Sequence, residues 1–248
     1  MSFESKRTIV TGGASGIGLA TVKLLRERGA EVMVWDVQGV DEPVDVGSDE
    51  SILKALSDVD RVDALVYSAG IQTYGTAVST SNEVWERTLM VNVTGAFKVC
   101  RAVIPKMIAA GGGSISLVGS VQSVGALANS AAYVTSKHAL LGLTRSIALD
   151  YAKAGIRCNC VCPGAIDTPM LRWSASLTDN PEATLEACAQ VHPVGRLGQP
   201  EDIAGVIAFL CGEDSKFVTG TAFMADGGAM VPIGGAAFQE QGTAQAKV

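Results

Sequence analysis

Charge and histidine are both scarce in this 248-residue chain: charged side chains make up 18% of it, and the two histidines are His138 and His192. With 48% apolar residues the composition argues against a disordered or collagen-like chain and fits a globular one with a large core. A basic excess is missing too. The formal net charge is −6 and the isoelectric point about 5.0, so neither nucleic acid nor an anionic membrane surface is expected as a main partner. No charged segment followed by an apolar run opens the chain, since Ser2–Arg7 is polar, and no signal peptide is expected. The longest stretch without charge lies between Lys106 and Lys137. It is interrupted by Gly111-Gly112-Gly113-Ser114, Ser116, Ser120, Gln122, Ser123, Asn129 and Ser130, which a lipid-facing span does not tolerate. A cytoplasmic protein is expected.

Zinc-type cysteine spacing is absent. The six cysteines stand at 100, 158, 160, 162, 188 and 211. Cys158, Cys160 and Cys162 alternate, so on a strand they share one face and cannot close neighbouring disulfides. They read as small buried hydrophobes in a reducing compartment, and no metal is expected.

Nor does a repeat, charge block or linker divide the chain, so one domain over residues 1–248 is expected. Strands are predicted at Thr8–Val10, Glu31–Trp35, Ala64–Tyr67, Ser114–Val118, Arg157–Val161 and Ala222–Met224. Helices are predicted at Gly16–Arg28, near Ser48–Leu56, and at Asn82–Ala110, Ala131–Gly155 and Glu201–Cys211. Such alternation implies a parallel sheet with helices on both faces, a doubly wound, Rossmann-type α/β fold. Residues 168–194 lack a strand and contain Trp173, Pro181 and Pro193, which predicts a small substrate lobe. Between Asp36 and Val44 there is too little chain for a crossover, which needs roughly a dozen residues or more. Two strands joined by a turn in place of a helix are expected there.

Thr11-Gly12-Gly13-Ala14-Ser15-Gly16-Ile17-Gly18 follows the first strand and opens the first helix. Glycines there let backbone N–H groups approach a pyrophosphate at the positive helix end. Asp36 ends the second strand, eighteen positions beyond Gly18. A carboxylate in that place accepts hydrogen bonds from the adenosine ribose hydroxyls and repels a 2′-phosphate. Ala14, Ser15 and Val37 bring no compensating cation, so NAD is expected over NADP.

Tyr133 and Lys137 stand four apart, so a helix projects both from one face. A free tyrosine, with a pKa of about 10, is a poor base at neutral pH. An ammonium beside it favours the phenolate and makes it a usable general base or acid. Ser120 lies thirteen residues before Tyr133, just past a predicted strand.

The Gly-x3-Gly-x-Gly spacing behind Thr11, with Ser120 and Tyr133-x3-Lys137, resembles the short-chain dehydrogenase/reductase family, and the resemblance covers nearly the whole chain. It implies that Asn92, in Val91-Asn92-Val93-Thr94-Gly95, belongs to a proton relay with Ser120, Tyr133 and Lys137. It implies a cofactor cradle of Gly12, Ser15, Gly16, Ile17 and Gly18, with Asp36 at the ribose, Asp45 and Val46 at the adenine, and Ala69 and Gly70 passing close to the ribose. Tyr133 and Lys137 also touch the cofactor. Pro163, Gly164, Ile166 and Thr168 hold the nicotinamide carboxamide. Gly195-Arg196, Pro200–Ala204 and Asp226-Gly227-Gly228 match the family's C-terminal signature. In the implied oxidation Tyr133 takes the hydroxyl proton, Ser120 stabilises the oxygen, and hydride leaves for the nicotinamide. Lys137 holds the ribose and lowers the Tyr133 pKa, and a water on the Asn92 carbonyl completes the relay.

Two departures stand out against the family. Tyr67-Ser68-Ala69-Gly70 replaces the usual Asn-Asn-Ala-Gly, and the helix missing between Asp36 and Asp45 leaves the adenine pocket more open. Further candidates are weaker. Gln122 either contacts substrate or organises its loop. Arg172 either clamps a carboxylate or is solvated. Gln72, Asn129 and His192 are open pocket candidates; His138 and Trp85 read as structural. The function expected is an NAD-dependent oxidoreductase interconverting a secondary alcohol and a ketone. Its substrate is a small polar alcohol such as a cyclic diol, sugar or hydroxyacid, contacted by Ser120, Gln122, Tyr133 and Arg172. The alternative is a catalytically silent nucleotide-binding regulatory protein of the same fold. Sparse charge along the two long helices, and the family's habit of pairing them, imply a homotetramer, with Met230-Val231-Pro232-Ile233 docking on a neighbour and Gln239–Val248 frayed.

Overall fold

The six strands predicted by range all belong to one sheet. The computed structural model describes residues 2–231. Its parallel sheet has six strands in the order β2-β1-β3-β4-β5-β6. They are β1 (Arg7–Thr11), β2 (Glu31–Trp35), β3 (Ala64–Tyr67), β4 (Gly113–Val118), β5 (Ile156–Pro163) and β6 (Ala222–Ala225). The helices are α1 (Gly16–Glu27), α2 (Asp49–Ala55), α3 (Asn82–Leu89), α4 (Gly95–Ala109), α5 (Ala131–Tyr151), α6 (Pro169–Ser176), α7 (Pro181–Gln190) and α8 (Pro200–Cys211). Among the described residues no helix is long and apolar enough to cross a membrane.

Strand periodicity divides the core into two layers. Ile9, Leu65, Ile115 and Cys158 meet Val99, Val103 and Met107 of α4 and Leu140 and Ile147 of α5. Their neighbours Val10, Val66, Val118 and Val161 meet Val22 and Leu25 of α1 and Ile203 and Ile207 of α8 on the opposite face. Burial on both faces explains why these strands read as continuous apolar runs. Each such side chain contributes about 1.5–3 kcal/mol by leaving water. Cys158, Cys160 and Cys162 are buried and unbridged, with the Cys160 and Cys162 sulfurs 3.9 Å apart.

Two expectations are corrected. The second of the two strands expected around this turn, near Val44, does not form, so β2 is the sheet edge. The chain instead closes on itself, the Val44 N–H donating to the Asp36 carbonyl at 2.8 Å. A segment so closed cannot cross to a new ladder position, and Pro43 brings no N–H to a ladder. The continuous helix expected over Asn82–Ala110 is likewise broken, by a π-turn at Met90–Thr94 between α3 and α4. The buried Tyr67 hydroxyl donates to the Val91 carbonyl there at 2.5 Å. A side chain inserted into the ladder is a known cause of such widening. Gly95 makes the room, since a Cβ at that position would stand 2.5 Å from the Tyr67 Oη. Pro232, Ile233 and Gln239–Val248, expected to dock and to fray, lie outside the described residues.

Candidate active site

The C-terminal ends of β1 to β5 open into a single cavity of about 740 Å³, of the size that takes a cofactor or drug-sized ligand. At its β1 end the glycine loop turns tightly into α1. Gly18 packs so closely on the Gly12 carbonyl that a Cβ would collide with it. The Thr11 hydroxyl accepts from the Ala69 N–H at 3.2 Å, tying the loop to the chain after β3. Ser15 precedes α1 without capping it, so no side chain claims the helix's first amides, and these edge the cavity with Gly16 and Ile17. Free amides at a positive helix end suit a pyrophosphate.

Asp36 lines the same cavity, held by the N–H groups of Ala14 at 3.0 Å and Val37 at 2.8 Å. A carboxylate has about four lone-pair sites, so capacity remains for ribose hydroxyls. Asp45 and Val46 line it further on, joined by Arg87 and Val91 from one face of the α3 end. Arg87 is a lining cation that no motif announces. Ser68 donates only its backbone N–H, to the Thr11 carbonyl at 3.2 Å, and Tyr67 supplies the bond into the π-turn.

At the other end Ser120, Tyr133 and Lys137 share the wall with Gln122. Ser120 follows β4, and its hydroxyl accepts from the Gln122 N–H at 3.1 Å. Tyr133 and Lys137 project from one face of α5, with the Lys137 Nζ 5.4 Å from the Tyr133 ring centre. Both are buried. Burial pushes the Tyr133 phenol up to about 12, the adjoining Ser120 hydroxyl pulling it back and Tyr74 adding to the rise. Burial also lowers Lys137 to about 8. Without a bound cofactor the phenol is therefore raised, and the Ser120 hydroxyl, rather than the Lys137 ammonium, is the group that pulls it back. Lys137 instead donates to the Val118 carbonyl at 2.9 Å. Asn92 stands behind, fully buried. Its Oδ1 accepts from the Ile71 N–H at 2.8 Å, and its Nδ2 donates to the Ile71 carbonyl at 3.0 Å and the Ser136 hydroxyl at 2.9 Å.

The end of β5 and the loop after it bring Pro163, Gly164, Ile166 and Thr168 onto the lining. His192 holds it, its Nε2 accepting from the Ala165 N–H at 3.0 Å, so this histidine has a loop-holding bond at the cavity edge. Thr168 caps α6, accepting from the Leu171 N–H at 3.3 Å. Asp226 fixes the late glycine pair by accepting from the N–H groups of Gly228 and Met230, which sets Met230 on the lining. Arg196 pairs with Asp202 at 2.6 Å, a structural use of the C-terminal signature.

Arg172 is not brought to the cavity. It lies exposed, its Nε 2.7 Å from the Asp167 carboxylate, because the first turn of α6 sets the two side by side. Asn129 also stays outside the lining, in a left-handed turn. Gln72 does line it, as do Tyr74 and Ser174, neither of which sequence reasoning singled out. The Gln122 Oε1 is buried there without a partner.

A family model described as enoyl-(acyl carrier protein) reductase matches residues 12–230. A dehydrogenase/reductase SDR family member 6 of Aquarana catesbeiana is 33% identical, over 91% of this chain and 98% of its own. A cyclohexanol dehydrogenase of Acinetobacter sp. is 35% identical, over 91% of this chain and 95% of its own. Among solved structures, ligand-free aldohexose dehydrogenase of Thermoplasma acidophilum superposes with a TM-score of 0.91 at 34% identity, covering 96% of this chain and 98% of that one. The chain belongs to the short-chain dehydrogenase/reductase family, oxidoreductases that use a nicotinamide cofactor.

Proposed function

We propose that this protein is an NAD-dependent dehydrogenase that interconverts a neutral, polar secondary alcohol, such as a cyclic diol or a sugar, with its ketone. The observation that carries the reading is one cavity with Ser120, Tyr133 and Lys137 at one end and Asp36 at the other. The fit to a dinucleotide rests on the open first turn of α1 and the Gly18–Gly12 contact. Gly12, Ser15, Gly16, Ile17 and Gly18 would hold the pyrophosphate, and Asp36 the adenosine ribose. Asp45 and Val46 would border the adenine. Ala69, Gly70, Tyr133 and Lys137 would border the other ribose, and Pro163, Gly164, Ile166 and Thr168 the carboxamide. Bound NAD supplies a hydride acceptor at nicotinamide C4 and a positive charge beside the phenol.

In the oxidising direction the Tyr133 Oη takes the proton of the alcohol. The Ser120 Oγ donates to the same oxygen as its charge grows. Lys137 contributes the cation that opposes desolvation of the phenolate, and Asn92 fixes the Ile71 backbone and the Ser136 hydroxyl behind them. With Arg172 paired to Asp167, the described lining holds no substrate-side arginine for a carboxylate, which favours a neutral substrate over a hydroxyacid. The unpartnered Gln122 Oε1 is an acceptor for a second hydroxyl. Relatives named for cyclohexanol and aldohexose agree with that preference.

The reading extends to a single-domain, cytoplasmic enzyme whose residues 168–194 form the substrate lobe. It extends also to a homotetramer. Phe97, Ile108 and Leu149 on α4 and α5 are 47%, 45% and 82% exposed, apolar area that a second copy would cover. Incubation with NAD or NADP and neutral cyclic alcohols, polyols and hydroxyacids, read at the absorbance of the reduced nicotinamide, tests the function. Tight NAD binding with no turnover on any of them would favour the silent regulatory alternative. Light scattering tests assembly against the 25.6 kDa monomer.

A further inference from the structure

His192 ties the end of the lobe to the loop after β5, but the two helices that cover the cavity are weakly anchored. Helix α6 buries Ala175 alone, and α7 buries no residue. The Arg172–Asp167 pair is exposed and adds little. Segments with so few buried contacts open at low cost. Against this, the Tyr74 side chain reaches α6 from outside the lobe. The Tyr74 hydroxyl shares a short hydrogen bond with the Ser174 hydroxyl of α6 and accepts from the Gln72 Nε2 at 2.6 Å. Its ring stacks on Trp173 of the same helix, centroids 6.4 Å apart at 23°. Among the described residues, Tyr74–Ser174 is the side-chain hydrogen bond that joins α6 or α7 to the cavity wall beyond their own flanking residues. The Tyr74 backbone is itself fixed to the helix carrying Tyr133. Gly75 donates to the Asn129 carbonyl at 2.9 Å and accepts from the Ala131 N–H at 2.9 Å, at the start of α5. Tyr74 thus spans from the frame of the reaction site to its cover.

We propose that Tyr74 is a positioning residue that latches α6 over the reacting end of the cavity, so that orientation of the alcohol against Tyr133 depends on its hydroxyl and its ring. The inference rests on the reading of Ser120, Tyr133 and Lys137 as the reaction site. Released, α6 would leave the alcohol with one wall missing, while the adenosine side of the dinucleotide site, built on β1 to β3, would be untouched.

The test uses the full chain carrying Trp85→Phe. Trp35 is 3% exposed and escapes a collisional quencher, so acrylamide quenching then reads Trp173. Tyr74→Phe keeps the stack and loses the hydroxyl, Ser174→Ala removes the partner, and Tyr74→Ala removes both links. Expected for the first two is a rise in alcohol KM of about two- to tenfold, the range of one neutral hydrogen bond, with kcat less affected and NAD affinity unchanged. Quenching of Trp173 should increase in the order wild type, Tyr74→Phe, Tyr74→Ala. Unchanged quenching and unchanged KM in Tyr74→Phe and Ser174→Ala would overturn the proposal, and these two milder variants decide it should Tyr74→Ala not fold. Equal losses of NAD affinity and alcohol affinity would overturn it as well, since they mark general disruption. Failure of the underlying reading is separable: Tyr133→Phe would keep full turnover while the quenching order stood.

Discussion

Helices α1 and α6 both begin at the mouth of the cavity, and they begin differently. Ser15 leaves the first amides of α1 unclaimed, whereas Thr168 closes the start of α6 by accepting from Leu171. Behind its open end α1 is well anchored, with Gly18, Ala20, Thr21, Val22 and Leu25 buried. Behind its closed end α6 buries one residue. An anion site must not reorganise when it is filled, so unsatisfied donors need a rigid mounting. A cover must move, so its termini are satisfied internally and it is held by a few removable contacts. On the proposed reading one half of the cavity is a fixed cradle and the other a held cover.

The largest expected effect lies at the seam between the halves. Tyr133→Phe removes the proposed acid/base group and should lower turnover by about 10²–10⁴-fold or more while sparing NAD affinity. Titration with NAD and steady-state rates on one preparation measure both. Turnover preserved in this variant would sink the mechanism and leave the cradle standing.

The pH dependence sharpens the same point. Tyr133 sits near 12 in the free protein, so its phenolate fraction grows as pH rises through the neutral and mildly alkaline range. Oxidation, which needs the phenolate, should accelerate with pH in kcat/KM for the alcohol at saturating NAD, the parameter that reads the step in which Tyr133 takes the proton. Lys137 has the opposite sign: it loses its proton above about 8, and with it the cation that favours the phenolate. The rise should therefore flatten past that point. Reduction, which needs the protonated phenol, should show no matching increase. A profile level from pH 6 to 10 in oxidation would contradict both assignments.

Within the cradle, Asp36→Ala should narrow the preference for NAD over NADP by roughly ten- to hundredfold, the worth of one or two hydrogen bonds to a charged group. Comparison of kcat/KM for the two cofactors checks this. Equal use of both by the wild type would remove the role given to Asp36. Arg87 on the same lining is the residue to replace next, since its loss should weaken any residual NADP use.

The cradle was legible in the sequence because each of its devices is local. The glycine loop is eight consecutive residues, Asp36 closes the strand beside it, and Tyr133 and Lys137 are one helical turn apart. The cover was not, because its contacts have no local signature. Tyr74 and Ser174 are 100 positions apart, and nothing near either marks the bond between them. The sequence leaves Arg172 open between a clamp and a solvated side chain for the same reason, since its partner Asp167 is set by how α6 starts. The π-turn is intermediate. Val91-Asn92-Val93-Thr94-Gly95 marked the place, but the widening depends on Tyr67 arriving from β3, and an unbroken helix was the simpler reading of the pattern.

That interlock gives a smaller effect, on stability more than on chemistry. Tyr67→Phe removes the hydroxyl that donates to the part-buried Val91 carbonyl and should cost about 1 kcal/mol or somewhat more. Gly95→Ala places a methyl 2.5 Å from the Tyr67 Oη and should cost ~1–3 kcal/mol by overpacking. The double variant Tyr67→Phe, Gly95→Ala should recover part of the loss, since deleting the hydroxyl vacates the space the methyl needs. Denaturant midpoints of the four proteins read this directly, and strict additivity would mean the two residues do not share one space.

The smallest effect belongs to the outer face of the cover. Arg172 was the one cation positioned by sequence to bind a carboxylate, and the structure turns it away, exposed and paired with Asp167. Exposed pairs of this kind contribute little, because water solvates both ions and the long side chain loses entropy when held. Arg172→Ala should therefore leave kcat/KM for the best neutral alcohol within about twofold of wild type. Hydroxyacids should not separate from neutral alcohols in this variant, since a clamp that is not formed cannot be lost. A selective loss of activity toward hydroxyacids would show that Arg172 abandons Asp167 when substrate arrives. The cover would then bind charge as well as close, and the contrast between a fixed cradle that holds anions and a cover that only closes would break at that residue.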